Sequence, residues 1–230
     1  MAPRSCIVAS FLVAALLFIP VTAFGATTYY VAATGSSDSN PGSAALPWAT
    51  IQHAVDTIAN GDTIIVKDGT YVGARISNSG ASGSPKTLQA EHKWGAKINV
   101  PEPTRNKHNG NLELEVFAGD GSPVSYWVVD GFEVDGQNLH RCVGVWGQDP
   151  SAPANGNTIR NCHIHHAQGK VSPYTVSTGL FDGSHSYALY ENNVTHHNTE
   201  HGVYHSNSSD YATIRGNVSY SNSGAGFHNN

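Results

Sequence analysis

Charge is scarce in this sequence of 230 residues: Asp, Glu, Lys and Arg together supply 13% of it, about half the ~25% of an ordinary soluble domain. That excludes a coiled coil, a charged helical bundle and a highly charged disordered tail. Lys and Arg number 12 against 17 Asp and Glu, for a net charge of −5. With no basic cluster, the balance points away from nucleic acid as a partner. Cysteine is almost absent, with three in all. Cys6, Cys142 and Cys162 are too few for a disulfide scaffold, and none has the spacing of zinc ligands. Long apolar runs are missing beyond residue 20. What is abundant is glycine (24), asparagine (19) and histidine (13), with 39% hydrophobic residues. Such a chain is rich in turns and poor in long helices, and it builds a core from short alternating runs.

The one apolar run, Ile7 to Ile19, follows Arg4, ends at Pro20 and leads to Ala23-Phe24-Gly25. A basic start, an apolar centre and small residues before a cleavage point are the three parts of a secretory signal peptide. The run is short of the roughly 18–20 residues that a membrane span needs. Residues 1–25 are therefore expected to be removed, and the product to be secreted or periplasmic, an uncleaved anchor being the alternative. Cys142 and Cys162 then remain, either as a disulfide or as two separate buried thiols.

Thr27 to Ala33 reads as a strand, followed by the turn-rich Gly35-Ser-Ser-Asp-Ser-Asn-Pro-Gly42. Ile51, Ala54, Val55, Ile58 and Ala59 then recur with helical period. This predicts one helix near 50–59, stopped by Asn60-Gly61 in a left-handed turn. A new strand, Thr63-Ile-Ile-Val66, follows. No other helical period appears, so residues 26–75 read as a cap with a first rung and 76–230 as the body.

The body repeats. Asn193-Val-Thr-His-His-Asn198 and Asn217-Val-Ser-Tyr-Ser-Asn222 are offset by 24, as are Gly202-Val-Tyr204 and Gly226-Phe-His228. Earlier copies are Ile159-Arg-Asn-Cys-His-Ile164 with Gly179-Leu-Phe181, and Val129-Asp-Gly-Phe-Glu-Val134 with Gly144-Val-Trp146. A period of this length signals a solenoid. Three short β-prone runs per unit and no helix predict an all-β parallel β-helix, with rungs stacked at the ~4.8 Å strand spacing. The aligned asparagines are expected to form ladders at the turns.

The segments Tyr30–Gly42, Trp48-Ala-Thr-Ile-Gln-His-Ala-Val55 and Gly61-Asp-Thr-Ile-Ile-Val-Lys-Asp-Gly-Thr-Tyr71 resemble the N-terminal cap of right-handed parallel β-helix proteins of the pectate-lyase-like group, which includes pectate, alginate and chondroitin lyases. The resemblance covers residues 27–230 and implies a right-handed coil and a polysaccharide as partner. It is specific for fold and weak for activity, because similar rungs carry lyases, hydrolases, epimerases and non-catalytic proteins.

Side-chain alternation places Val145, Leu180, Val203 and Phe227 inward, and Trp146, Phe181, Tyr204 and His228 in one outward column. Flat rings in a column can stack on sugars; the alternative is that loops cover them. His201 and His205 lie nearest this column, and Asp182 stands one rung before His205. Together they form the candidate catalytic set, although this register also permits Asp182–His205 to be a buried contact. His163, His165 and His166 read as surface residues, as do Asp130, Glu133 and Asp135. A uronate lyase needs a cation at the sugar carboxylate, either Lys, Arg or calcium held by several Asp. No tight Asp cluster is present, so calcium stays possible without assigned ligands. Lys170, Arg160 and Arg215 are candidates for binding an acidic sugar. The chain stops at Phe227-His-Asn-Asn230, inside a strand, so a fragment with missing rungs is expected, the alternative being that the last rung pairs with another chain. The leading function is a polysaccharide-active protein of lyase type on an acidic polysaccharide. The competitors are a hydrolase, a non-catalytic carbohydrate-binding or adhesion solenoid, and a structural surface protein.

Overall fold

The computed structural model describes residues 25–100, 115–116, 123–139, 142–147, 151–169, 177–206 and 208–230. Apart from Gly25, the expected leader lies outside them, as does Lys170. The chain winds through three long parallel sheets. The first holds Thr28–Val31, Thr63–Val66, Lys86–Ala90, Trp127–Asp130, Thr158–Arg160, Leu189–Glu191 and Thr213–Arg215. The second holds Gly69–Val72, Ala96–Val100, Glu133–Leu139, His163–Ala167, Val194–His196 and Val218–Tyr220. The third holds Arg75–Ile76, Glu115–Val116, Val143–Trp146, Leu180–Gly183, Val203–His205 and Phe227–Asn229. Each strand pairs with the strand one turn on, so the architecture is the parallel β-helix that the repeat predicts. Among the described residues no helix is long and apolar enough to cross a membrane.

The corners explain the composition. Between the first and second sheets Gly131, Asn161, Asn192 and Gly216 adopt φ of 82°, 56°, 56° and 65°. This left-handed region is the one that glycine and asparagine enter at least cost. Between the second and third sheets the same conformation falls to His166, His197 and Ser221, and between the third and first to Tyr126, Gly156, Tyr187 and Tyr211. The residues that follow turn inward. Asn193 Nδ2 donates to Asn217 Oδ1 at 3.0 Å, and Asn198 Nδ2 to Asn222 Oδ1 at 2.9 Å. The same carbonyl oxygens accept the backbone N–H groups of Asn193 and Asn198. These are the expected ladders, and they satisfy backbone that a sheet cannot reach at a bend.

The core column of the first sheet is Ile64, Leu88, Val129, Ile159 and Tyr190, in register and sealed from solvent. The second sheet stacks Ile98, Val134 and Ile164, then Thr195 and Ser219, whose hydroxyls meet at 2.7 Å. The interior thus changes from aliphatic to hydrogen-bonded polar along the coil. Cys142 and Cys162 are separate buried thiols, so the disulfide alternative is corrected. Burial pushes the Cys162 thiol up to about 12, and it stays protonated and inert.

The helix is Ile51–Thr57, with the Thr50 hydroxyl accepting from the His53 N–H at 3.1 Å as its N-cap. It ends earlier than Asn60-Gly61. Ile58 is already extended, with φ −68° and ψ 148°. Its side chain is drawn into the core at 4% exposure. Asp62 then ties the turn by accepting from Ala59 N and Thr27 N. The Gln52 amide both accepts from Arg75 N (2.8 Å) and donates to Arg75 O (2.9 Å). One side chain thereby closes the open edge of the first strand of the third sheet.

Candidate functional site

The outer face of the third sheet carries an aromatic strip. Phe181, Tyr204 and His228 stand opposite one another on adjacent strands. The Phe181 and Tyr204 rings meet edge to face at 5.4 Å, and those of Tyr204 and His228 at 4.7 Å. His201, from the corner before, lies 4.4 Å from the His228 ring and 5.4 Å from that of Tyr204. Phe181 is 7% exposed, while Tyr204, His228 and His201 are half-buried. The open part of the strip is therefore one tyrosine and two imidazoles.

Trp146 does not share this row. Its backbone pairs with Gly183, and Gly144 is the residue opposite Phe181. The shift is two residues, which keeps the alternation of the strand. Val143 and Val145 both suit an inward position, so the pattern alone does not distinguish the two registers.

His201 Nδ1 accepts the Ala225 N–H at 3.0 Å, and its Nε2 lies 3.5 Å from Glu200 Oε1. In the neutral ring the proton therefore resides on Nε2, which is presented as a donor. Burial, opposed by Glu200, lowers its proton affinity.

Asp182 and His205 do meet, but inside the coil. Asp182 is fully buried and His205 is 6% exposed. Asp182 Oδ2 accepts from the Tyr190 hydroxyl at 2.6 Å and from His205 Nδ1 at 2.9 Å. His185 Nδ1 lies 3.1 Å from the same hydroxyl, and its Nε2 accepts from Asn157 N. Burial alone would raise the Asp182 carboxyl, but the nearby His185, 3.7 Å away, and hydrogen bonds from His205 and Tyr190 outweigh it and hold it at about 2. The Asp182 hydrogen bond raises His205 above its ordinary value against the effect of burial. This pair joins the polar core rather than the outer face, the buried arrangement that the register also allowed.

Arg215 and Arg160 lie on the first sheet. The outward row Asp130, Arg160, Glu191, Arg215 alternates in sign, with Arg160 Nε on Asp130 Oδ2 at 2.8 Å and Arg215 Nε on Glu191 Oε1 at 2.7 Å. Each arginine is neutralised by its neighbour on the ladder, so neither joins the strip.

The outer face of the second sheet brings together residues that the repeat pattern marks only as surface. Lys97 Nζ lies 2.9 Å from both Glu133 Oε1 and Asp135 Oδ2. His163 and His165 lie one rung on, opposite Glu133 and Asp135. His196 lies opposite His165, with rings stacked at 5.0 Å. Burial and the neighbouring rings lower His196 to about 4; burial first also lowers His163 and His165. Burial works against Lys97, yet its hydrogen bonds to Asp135 and Glu133 raise its proton affinity. The His163-x-His165 alternation was the available signal, because alternate strand residues share a face. Lys97 was hidden by the long segment that separates it from Glu133.

The family model described as Pel9A-like, right handed beta helix region matches residues 29–227. Among solved structures the chain is similar to pectate lyase Pel9A, at 23% identity and a TM-score of 0.64, covering 89% of this chain and 50% of that one. It is also similar to the GH136 lacto-N-biosidase from Eubacterium ramulus (11% identity, TM-score 0.55, 81% of this chain and 36% of that one). A third is a rhamnogalacturonan lyase (18% identity, TM-score 0.54, 85% of this chain and 57% of that one). At these identities the likeness establishes the fold alone, and the chain spans about half the length of the Pel9A structure. No curated protein matches it in sequence.

Proposed function

We propose a function for a chain that belongs to the Pel9A-like right-handed β-helix family: it engages an acidic polysaccharide along the outer face of its third sheet, in lyase-type cleavage. The observation that carries this is the in-register strip of Phe181, Tyr204 and His228, flanked by His201. Phe181 packs against Tyr204 from below, and the half-buried Tyr204, His228 and His201 offer ring surface, a tyrosine hydroxyl and imidazole edges to the hydroxyl and carboxylate groups of an extended sugar chain. The acidic substrate and the lyase chemistry rest on the pectate and rhamnogalacturonan lyases among its structural relatives. In such an elimination a base removes the proton beside the sugar carboxylate, the bond to the leaving oxygen breaks and a double bond forms. His201, with its proton on Nε2, suits the leaving oxygen as donor. The buried pair Asp182–His205 acts behind the sheet as a positioning element.

A second reading, carbohydrate binding without cleavage, is favoured by the enclosure of Asp182, the only carboxylate of the candidate catalytic set. A screen of acidic and neutral polysaccharides, with and without calcium, separates the two. New ultraviolet absorbance from an unsaturated uronate identifies the lyase. Gel retardation without products identifies the binding module. Reducing ends without absorbance identify a hydrolase, and no interaction with any polysaccharide overturns the proposal.

Export completes the reading. Expressed in a secreting host, the mature chain is expected to begin at Ala26, which mass spectrometry of the intact protein reads directly. Retention of residues 1–25 would contradict it.

Tyr204→Ala is expected to weaken polysaccharide binding by roughly 0.5–1.5 kcal/mol beyond lost area, about two- to twelvefold. Affinity electrophoresis against graded polysaccharide measures it.

A further inference from the structure

We infer that the outer face of the second sheet binds a divalent first-row transition metal through Glu133, His163 and His165. One ligand atom from each of these three lies within 4.8 Å of the others. Glu133 Oε1 and His165 Nε2 are 3.3 Å apart, close to the separation of two ligands each about 2.0–2.1 Å from a tetrahedral zinc. Two imidazoles and one carboxylate from neighbouring rungs leave one or more positions open, a donor set that suits zinc and its neighbours rather than calcium or magnesium.

The surroundings are those of a ligand shell. His163 Nε2 is held by His196 Nε2 at 2.7 Å, and His165 Nδ1 by His166 Nδ1 at 2.6 Å. Each candidate histidine thus has one nitrogen held by an outer imidazole, which leaves Nδ1 of His163 and Nε2 of His165 for a metal, much as an outer partner orients a ligating histidine. His197 continues the network, with its Nδ1 2.7 Å from His196 Nδ1 and its ring stacked on His166 at 5.3 Å. The strands fix the geometry, since Glu133 and His163 are direct neighbours in the ladder and His165 shares their face. Lys97 bridges Glu133 and Asp135, so metal entry displaces its ammonium from Glu133 and leaves it on Asp135. This site lies on a different sheet from the aromatic strip and does not depend on the polysaccharide reading.

The test uses the full chain, tag-free and chelator-treated, titrated with zinc chloride by calorimetry and with cobalt chloride by visible absorption. The expected result is one equivalent of zinc, and intense cobalt bands of low coordination number. Zinc at a hundredfold excess over its Kd should raise Tm by about 5–10 °C. Glu133→Gln and His165→Gln should each weaken zinc at least tenfold, with cooperative unfolding retained. Lys97→Met should leave zinc binding equal or tighter, because it removes the competing cation. Absence of saturable one-to-one binding in the parent protein overturns the inference. So does zinc affinity unchanged in both Glu133→Gln and His165→Gln, or zinc binding lost in Lys97→Met.

Discussion

Asp182→Ala is expected to destabilise the protein by about 3–5 kcal/mol, the cost of breaking a buried charge pair on one side. The carboxylate is fully enclosed and receives the Tyr190 hydroxyl and His205 Nδ1, and the Ser206 N–H reaches its second oxygen at 3.3 Å. Removing it leaves a fully buried phenol and an almost fully buried imidazole without their acceptor. The pH dependence has a definite sign. Asp182 is held at about 2 in the folded state against ~3.9 unfolded. Its contribution is therefore present above the unfolded value and fades as pH falls towards 2. His205 is raised, so its contribution is present below ~6.5 and is lost as pH rises through the raised value. The difference in stability between the parent protein and Asp182→Ala should be largest between about pH 4 and 6.5, and smaller on both sides. Urea unfolding of both proteins across that range measures it, and a difference independent of pH would show that charge plays no part in the pair.

Gly202→Ala is the second large effect. A Cβ at this position would stand 2.1 Å from Ser219 Oγ, 2.4 Å from Thr195 Oγ1 and 2.6 Å from the Gly226 carbonyl oxygen. The hydroxyls could rotate away only by giving up their mutual hydrogen bond, and the carbonyl belongs to the ladder, where the Val203 N–H donates to it. The backbone conformation is ordinary, so the demand is for space and not for left-handed φ. Overpacking of this kind costs typically 1–3 kcal/mol, or about 2–12 °C in Tm for a chain of this size. Gly179 faces the same corner one rung earlier, where an added Cβ would stand 2.7 Å from the Gly202 carbonyl oxygen. Differential scanning calorimetry of both alanine variants reads the effect. Unchanged melting in both would mean that the corner is looser than its geometry.

These residues also mark what the sequence could reveal. The glycine column and the asparagine ladders were legible because each repeats at a spacing of 23 or 24 over the last turns, and a solenoid converts near-equal spacing into adjacency. The neighbourhood of Asp182 and His205 was legible for the same reason. Their enclosure was legible only as an alternative: the inward register permitted a buried pair, but the pattern did not show that Tyr190, three residues from the corner at Tyr187, supplies a hydroxyl to the core. Trp146 was misplaced because a shift of two residues keeps alternation intact, and the extra sequence from Lys170 to Val176, absent from the later repeats, precedes the strand that it pairs with. Aligning Val129–Val134 with Ile159–Ile164 sets Glu133 beside His163, but the place of Lys97 opposite Glu133 could not be read locally. It depends on which rung follows which across long segments whose lengths carry no periodic signal. The helix end was misjudged because a buried Ile58 overrode the nearby Asn60-Gly61 stop signal.

The central claim is that the third-sheet strip is a sugar-binding surface rather than packing. The most direct measurement is the affinity of Tyr204→Ala and His228→Ala for the best polysaccharide of the screen, taken beside their melting temperatures. The account predicts that both variants lose affinity, about two- to twelvefold for Tyr204→Ala, while melting within a few degrees of the parent protein. Unchanged affinity with a lowered Tm in both would contradict it and return the strip to the structural scaffold.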